Sequence, residues 1–278
     1  MKQIIGRTFE AERSLYRLTD TELIDCVFGG PEDGESPLKH PENFRLKNCD
    51  FSMRYPIWHA KDFEIEDCSF DELARAALWY CYDGKIINTK LHGIKALRDC
   101  QNVLLEGCSI KSPEFGWKCR GIMLRDCSVE AEYLFLDTVD LTLKNCRQKG
   151  KYSFQYIRDL LIEDSDLDTK DAFWHSENVT VRNSNLKGEY LAWYSTNLTL
   201  ENCVIEGTQP LCFCQGLKLI NCRMVNCDLA FEFSDVQAKV IGSIDSVKNP
   251  RSGRIEADEI KEIILDEPGE AEIVELNK

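Results

Sequence analysis

Apolar and polar residues alternate along this chain in short segments that recur at a constant interval. The segment reads apolar-x-apolar-x-Asn/Asp-Cys-x-apolar and is clearest at 44–51 (FRLKNCDF), 63–70, 122–129, 198–205 and 217–224. Its cysteine position is filled by Cys26, Cys49, Cys68, Thr89, Cys108, Cys127, Cys146, Ser165, Ser184, Cys203 and Cys222, and the last seven intervals are all 19 residues. A fixed period of this kind is typical of a repeat architecture.

Two further columns mark where each repeat bends. The residue before the cysteine position is Asp, Asn or Gly in every repeat, and a second column of these types lies five residues earlier, as at Asp62 and Asn178. Such residues tolerate a left-handed backbone. With β-branched and aromatic residues between the bends and no helical periodicity, the pattern predicts an all-β fold, a parallel β-helix of about eleven coils.

The two ends differ from the repeats. Residues 1–20 are polar and amphipathic and are predicted to form an N-terminal cap over an open sheet edge. The β-helix is predicted to span 21–241, and residues 242–278 to form a C-terminal cap and an acidic tail, with one domain overall. The loop 29–37 accounts for a 23-residue interval in the second coil. It is either a surface excursion or part of a binding face.

Charge and cysteine content narrow the functional classes. The 278 residues include 34 basic and 48 acidic side chains, a formal charge of −14, which opposes binding to nucleic acid or to an anionic membrane surface. No apolar run is long enough to span a membrane and no secretory signal is evident, so a cytoplasmic location is expected. The 14 cysteines are then expected to be free, buried packing residues, with no metal and no cofactor assigned.

The second strand of each repeat is unusually aromatic. All five tryptophans occupy one of its positions: Trp58, Trp79, Trp117, Trp174 and Trp193. A column of small residues follows two positions later, and alternate strand residues face opposite sides. The alternation therefore favours tryptophans inside the helix. A kinked strand would instead turn them toward solvent, because Arg98 and Gln155 share the position and fit an interior poorly.

The positions that alternate with the tryptophan position in this strand are predicted to form an exposed aromatic face. Such a face normally marks an interface or a ligand site. Its predicted binding residues are Tyr133, Phe135, Tyr152, Phe154, Tyr156, Phe173, His175, Tyr190 and Tyr194. Asp99, Lys118 and Asp137 occupy one position on three successive coils. They are weak catalytic candidates, since two carboxylates about 10 Å apart resemble an inverting glycosidase pair, but a surface charge ladder is the favoured explanation.

The chain resembles a known family, the bacterial domain of unknown function 3737. The resemblance rests on stretches throughout the sequence, including 9–16 (FEAERSLY), 55–59 (YPIWH), 170–174 (KDAFW) and 244–253 (IDSVKNPRSG). It implies one domain and a single-stranded, right-handed, pectate-lyase-like β-helix. It implies no activity, because the family has none assigned.

Two functions remain open at this point. The first is a non-enzymatic binding or scaffold module that uses the aromatic face, with an oligosaccharide, a protein or a second copy of the chain as partner. The alternative is an intracellular carbohydrate-active enzyme, a polysaccharide lyase or a glycoside hydrolase, which rests on analogy between folds. Acyl transfer of the kind catalysed by hexapeptide-repeat helices is disfavoured, since the period is 19 residues rather than a multiple of six.

Overall fold

A computed structural model describes residues 1–30 and 34–277. Strands and bends make up these residues, and no helix among them is long and apolar enough to cross a membrane. The chain divides into two compact units, unit 1 (Met1–Thr142) and unit 2 (Leu143–Lys278). These limits do not coincide with the boundaries predicted from the sequence. Part of the predicted loop 29–37, residues 31–33, lies outside the described residues.

The strands are short and evenly spaced. Those of unit 1 are β1 (Lys2–Ile5), β2 (Thr8–Phe9), β3 (Thr19–Ile24), β4 (Val27–Phe28), β5 (Leu38–Lys39), β6 (Glu42–Lys47), β7 (Asp50–Phe51), β8 (Ile57–Trp58), β9 (Lys61–Glu66), β10 (Ser69–Phe70), β11 (Leu78–Trp79), β12 (Tyr82–Ile87), β13 (Lys90–Leu91), β14 (Leu97–Arg98), β15 (Gln101–Glu106), β16 (Ser109–Lys111), β17 (Arg120–Arg125) and β18 (Ser128–Glu132). The limit between the units falls within β19 (Val139–Lys144). Those of unit 2 are β20 (Arg147–Lys151), β21 (Arg158–Glu163), β22 (Asp166–Lys170), β23 (Glu177–Arg182), β24 (Asn185–Lys187), β25 (Thr196–Glu201), β26 (Val204–Glu206), β27 (Leu217–Val225), β28 (Asp235–Lys248), β29 (Ser252–Ile264) and β30 (Glu272–Glu275).

Equivalent strands of successive coils pair in parallel, and these pairings define the sheets. Sheet A contains the six-residue strands, as in β9 with β12, where Phe63 lies beside Gly84. Sheet B contains the strands after the next bend, as in β7 with β10. A third sheet, sheet C, consists of β5, β8, β11 and β14 in unit 1. The predicted parallel β-helix is therefore confirmed.

The number of coils is larger than predicted. The solenoid has about 14 turns rather than eleven, because both ends adopt the repeat. Residues 1–20, predicted to be a cap, contribute β1 and β2, which pair in parallel with β3 and β4. At the other end, β28 pairs with β29 and β29 with β30. The end strands thus extend the parallel pairing of the coils, although neither β1 nor β30 contains a fully buried residue.

Both predicted bend columns have left-handed backbone conformations. In one coil, Asp62 near the start of β9 and Asp67 directly after β9 have φ of 51° and 52°. Equivalent side chains on neighbouring coils also bond to one another: the Asn48 amide donates to Asp25 at 2.6 Å, and that of Asn102 to Asp83 at 2.8 Å. The short polar side chains thus tolerate the bend and link the coils.

The core lies inside the coils as stacked columns of like residues. Phe28, Phe51 and Phe70 stack at 4.4 Å between successive ring centroids. All 14 cysteines are free and buried, as predicted. Burial raises the pKa of the Cys212 and Cys227 thiols to about 12, which keeps them protonated near neutral pH. These cysteines are packing residues.

Candidate ligand-binding site

A third bend column, which the residue types do not reveal, positions the surface aromatics. Its members all have positive φ and are Arg17, His40, His59, Tyr80, Asp99, Lys118, Asp137, Tyr156, His175, Tyr194, Phe213 and Phe233. A left-handed conformation costs about 1–2 kcal/mol for a residue with a Cβ. Because few of these residues are Asp or Asn and none is Gly, the sequence pattern predicts no bend here.

This bend overturns the predicted orientation of the tryptophans. In the coil of Trp79, Leu78 is buried, Trp79 and Tyr80 are both partly exposed, and Cys81 is buried again. Two consecutive side chains face outward because Tyr80 has φ 55° and interrupts the alternation of an extended strand. The interior position favoured for the tryptophan column is therefore wrong, and the alternative of a kinked strand is right.

The same bend places part of the predicted aromatic face in the core. Phe135, Phe154 and Phe173, predicted to be exposed binding residues, are completely buried. Phe154 and Phe173 stack on each other at 5.2 Å. The prediction for these three phenylalanines is wrong, because left-handed residues alternate with others in their segments and the two-residue periodicity of a strand does not apply.

The other predicted binding residues are on the surface. Tyr133, Tyr156 and Tyr194 are 40%, 53% and 45% exposed, and His175 is exposed as well. Tyr152 and Tyr190 are partly exposed. In unit 1 the Tyr133 ring lies edge-on to an indole, and in unit 2 Tyr190 does the same. A binding role for these six residues remains a prediction.

In unit 2 the exposed rings form a continuous stack, which we call the unit 2 ladder: Tyr156, Trp174, His175, Trp193, Tyr194 and Phe213. Successive ring centroids are 5.1 Å apart from Tyr156 to His175 and 5.0 Å from His175 to Tyr194, with interplanar angles of 7° and 8°. Tyr194 continues onto Phe213 at 4.7 Å. These four rings, Tyr156, His175, Tyr194 and Phe213, therefore occupy the same surface position on successive coils.

The two indoles of the unit 2 ladder are oriented by hydrogen bonds. Trp174 Nε1 donates to the carbonyl of Tyr190 at 2.8 Å, and Trp193 Nε1 donates to the carbonyl of Gln209 at 2.8 Å. The indole planes are within 5° of each other, but Trp193 lies at 85° to the Tyr194 ring. The ladder thus presents ring planes in two directions, and hydrogen bonds fix the two indoles.

Unit 1 has a second stack, the unit 1 ladder: Tyr16, His40, Trp58, His59, Trp79 and Tyr80. His40 and His59 are 4.8 Å apart with an interplanar angle of 9°, and His59 continues onto Tyr80 at 5.0 Å. Trp58 and Trp79 stack beside this column at 5.6 Å. Tyr16 closes the end, edge-on to His40 at 5.8 Å.

Cations extend the unit 1 ladder at both ends of its tryptophan pair. Lys39 Nζ lies 4.2 Å from the centre of the Trp58 ring. The Arg98 guanidinium lies between Trp79 and Trp117, 5.6 and 5.1 Å from their centres. Arg98 is therefore compatible with the tryptophan column because both face outward, and each contact is a cation–π interaction.

The binding face predicted from the sequence does not include the first part of this ladder, Tyr16, Lys39 and His40. The available signal was the 19-residue interval from His40 to His59, which equals the period of the repeat. Insertion of the loop 29–37 obscured it by lengthening the preceding coil.

The weak catalytic candidates occupy one position on three successive coils, which lies in the third bend column, but their surroundings differ. Trp79 Nε1 donates to the Asp99 carboxylate at 2.9 Å, and Arg98 Nε lies 3.4 Å from it. Lys118 and Asp137 are exposed. Asp99 therefore acts as an acceptor that fixes an indole.

Sheet A of unit 1 has an open groove of about 560 Å³ on its outer surface. Its lining includes Arg45, Glu64, Lys85, Leu104 and Met123, the outward residues of consecutive strands. Arg45 and Glu64 form an exposed ion pair at 3.7 Å. Within the described parts of the chain, no three His, Cys, Asp or Glu side chains are placed to hold a metal ion.

Comparisons with known proteins identify a family. A family model described as "Protein of unknown function (DUF3737)" matches residues 2–275. No curated protein matches. Among solved structures, the chain is similar to the A-module of the mannuronan C-5 epimerase AlgE6 of Azotobacter vinelandii, with 11% identity, 97% of this chain and 87% of that chain covered, and a TM-score of 0.46. It is also similar to PfbA, a surface adhesin of Streptococcus pneumoniae, with 8% identity, 95% and 76% covered, and a TM-score of 0.42.

Proposed function

This chain belongs to the DUF3737 family of proteins of unknown function, and we propose that it is a binding module whose unit 2 ladder holds a linear oligosaccharide. The observation that carries the proposal is the exposed stack of Tyr156, His175 and Tyr194. Each of these three coils presents one ring, at intervals of about 5 Å, so the surface repeats from coil to coil. A repeating polymer lying along it makes the same contact at each coil.

The chemistry of the rings suits a sugar. Each ring of the stack combines an apolar body with a polar group, the phenol of Tyr156 and Tyr194 or the imidazole of His175. Hydroxyl groups of a sugar can both donate to and accept from these groups. Its C–H groups contact the ring edges, because the ring faces stack on one another. The mixture of a few polar groups with aromatic surface is typical of small-ligand sites.

Rigidity favours binding at this position. The indole N–H groups of Trp174 and Trp193 already bond to backbone carbonyls. A ligand therefore meets fixed indole surfaces and loses little free energy in ordering them. A protein partner or a second copy of the chain is the competing occupant, and an oligosaccharide screen separates the two.

The test is an array of neutral and acidic oligosaccharides, followed by titration calorimetry on any ligand found. Replacing Tyr194 by alanine is expected to weaken binding by about 2 kcal/mol, or about 30-fold, as for an aromatic hot spot. Tyr82→Ala is the matched control, because Tyr82 is a partly exposed tyrosine of β12 outside both ladders. Equal binding by both variants, or an absence of any oligosaccharide ligand, would refute the proposal.

The enzymatic alternative has less support. It needs the Asp99 and Asp137 carboxylates to act as an acid and base pair, yet Asp99 accepts the Trp79 indole N–H and lies against Arg98. Both contacts engage the Asp99 carboxylate within the protein, so it is not free to transfer a proton to a substrate. No specific observation favours catalysis at this position.

A further inference from the structure

The first coils of unit 1 place four basic side chains around one end of the unit 1 ladder. The contacts run from the Arg17 guanidinium over the Tyr16 ring at 5.3 Å, from Tyr16 to His40 at 5.8 Å, and from His40 to His59 at 4.8 Å. They continue from His59 to Trp58 at 5.7 Å and from Trp58 to Lys39 Nζ at 4.2 Å. Lys39 is next to His40 in the chain, so Lys39, His40, His59 and Trp58 form a closed ring of contacts, to which Tyr16 and Arg17 attach. We call these six residues the circuit.

The cations of this circuit lack acidic partners. Among the described residues, no carboxylate pairs with Arg17 or with Lys39. The acidic residues nearest Lys39 along the chain pair elsewhere: Glu35 with Arg54 at 3.6 Å and Glu42 with Lys61 at 3.8 Å. Asp20, the acidic residue nearest Arg17, accepts a hydrogen bond from the Asn43 amide. In a chain with a formal charge of −14, two cations without a carboxylate partner at one position form a local positive region.

The hydrogen-bonding groups of the circuit are also unused. The backbone N–H groups of His40 and His59 donate to the next coil, but neither imidazole has a hydrogen-bond partner among the residues that the structure describes. Trp58 Nε1 is buried and has no acceptor there, whereas the other four indole N–H groups have one. A buried donor without an acceptor is unfavourable, so an acceptor supplied by a ligand or by water would stabilise this end of the ladder.

The electrostatics of the imidazoles agree with this positive region. Desolvation and then the charges of Lys39 and Arg17 lower the pKa of His40 below its ordinary 6.5. Desolvation, His40 and Lys39 lower the pKa of His59 in the same way. The other groups that contact the two rings, Tyr16, Trp58 and Tyr80, are uncharged near neutral pH. An anion bound here would oppose the effect of the cations and favour protonation, which turns both ring nitrogens into donors.

We propose that Arg17, Lys39, His40 and His59 form an oxyanion-binding site that takes a phosphate or carboxylate group. Arg17 and Lys39 supply charge-assisted hydrogen bonds, and the two imidazoles supply ring N–H donors. The site lies in unit 1 and is independent of oligosaccharide binding to the unit 2 ladder. Each proposal can fail while the other holds.

Proton NMR of the imidazole Cε1–H resonances tests the site in the full chain, because the chain has only four histidines. Inorganic phosphate and acetate are titrated separately at constant ionic strength, to remove screening effects. His40 and His59 are expected to shift saturably, whereas His92 and His175 serve as internal controls. Saturation by phosphate alone or by acetate alone identifies the group that the site prefers. Equal movement of all four histidines in both titrations would overturn the proposal.

Charge removal supplies the second test. Lys39→Met keeps an apolar stem on the Trp58 ring and is expected to weaken the binding of the preferred anion about tenfold. Lys39→Arg is expected to retain binding, which separates the effect of charge from damage to the fold. Lys170→Met is the matched control: Lys170 lies 5.1 Å from the Tyr190 ring but pairs with Glu189 at 2.7 Å. Unchanged affinity in Lys39→Met would contradict the assignment.

Discussion

Replacing Phe154 by alanine is expected to destabilise the protein far more than replacing Tyr156, two residues away. In an extended strand the two side chains would face the same side. In the structure Phe154 is fully buried and stacked on Phe173, whereas Tyr156 is 53% exposed. The pair of variants therefore tests the unusual backbone of this segment directly.

The magnitudes follow from these environments. Loss of a buried phenylalanine side chain costs about 2–3 kcal/mol in transfer free energy, and loss of the aromatic pair adds about 0.5–1.5 kcal/mol. We therefore expect Phe154→Ala to lower the free energy of unfolding by about 3–4 kcal/mol, within the usual range of about 3–5 kcal/mol for such changes. Tyr156→Ala loses the surface stack on His175, and about 1 kcal/mol or less is expected.

Urea unfolding of the full-length variants, followed by circular dichroism and by tryptophan fluorescence, measures both values. Agreement between the two probes establishes that a single transition is being compared. Similar losses for Phe154→Ala and Tyr156→Ala would refute the assignment of one side chain to the core and the other to the surface. A greater loss for Tyr156→Ala would reverse it.

Three further predictions concern the interior and the response to pH. Gly84→Ala is expected to destabilise the protein by about 1–3 kcal/mol in urea unfolding, because the added Cβ would meet the Phe63 ring, and equal midpoints would contradict this packing. Thiol titration of the denatured protein and its intact mass should show 14 free cysteines, and a loss of two hydrogens per pair would indicate disulfides instead. Because the folded-state pKa values of His40 and His59 lie below 6.5, the folded protein binds protons less readily than the unfolded chain, so stability should fall as the pH drops below about 6.5. The double variant His40→Asn, His59→Asn should lose less stability than the parent between about pH 7.5 and about pH 5.5, and an unchanged pH dependence would show that the imidazoles do not contribute.

The sequence by itself determined the parallel β-helix, the two Asp/Asn bend columns and the buried cysteines. Residue type carries this information: Asp and Asn tolerate the left-handed bend at Asp62 and Asp67, and the small thiol fits a stacked interior position such as Cys100. The period of 19 residues then fixes which positions stack, because each coil pairs in register with the next.

The tertiary structure alone decided which aromatic residues reach the surface. The third bend is occupied by residues such as Tyr80 and His175, which have no intrinsic preference for positive φ. Stacking between coils and the parallel backbone hydrogen bonds hold them there, and these contacts exist only once the coils are assembled. For the same reason the sequence misplaced Phe154 and Trp79, whose orientation depends on a backbone conformation that neighbouring coils impose.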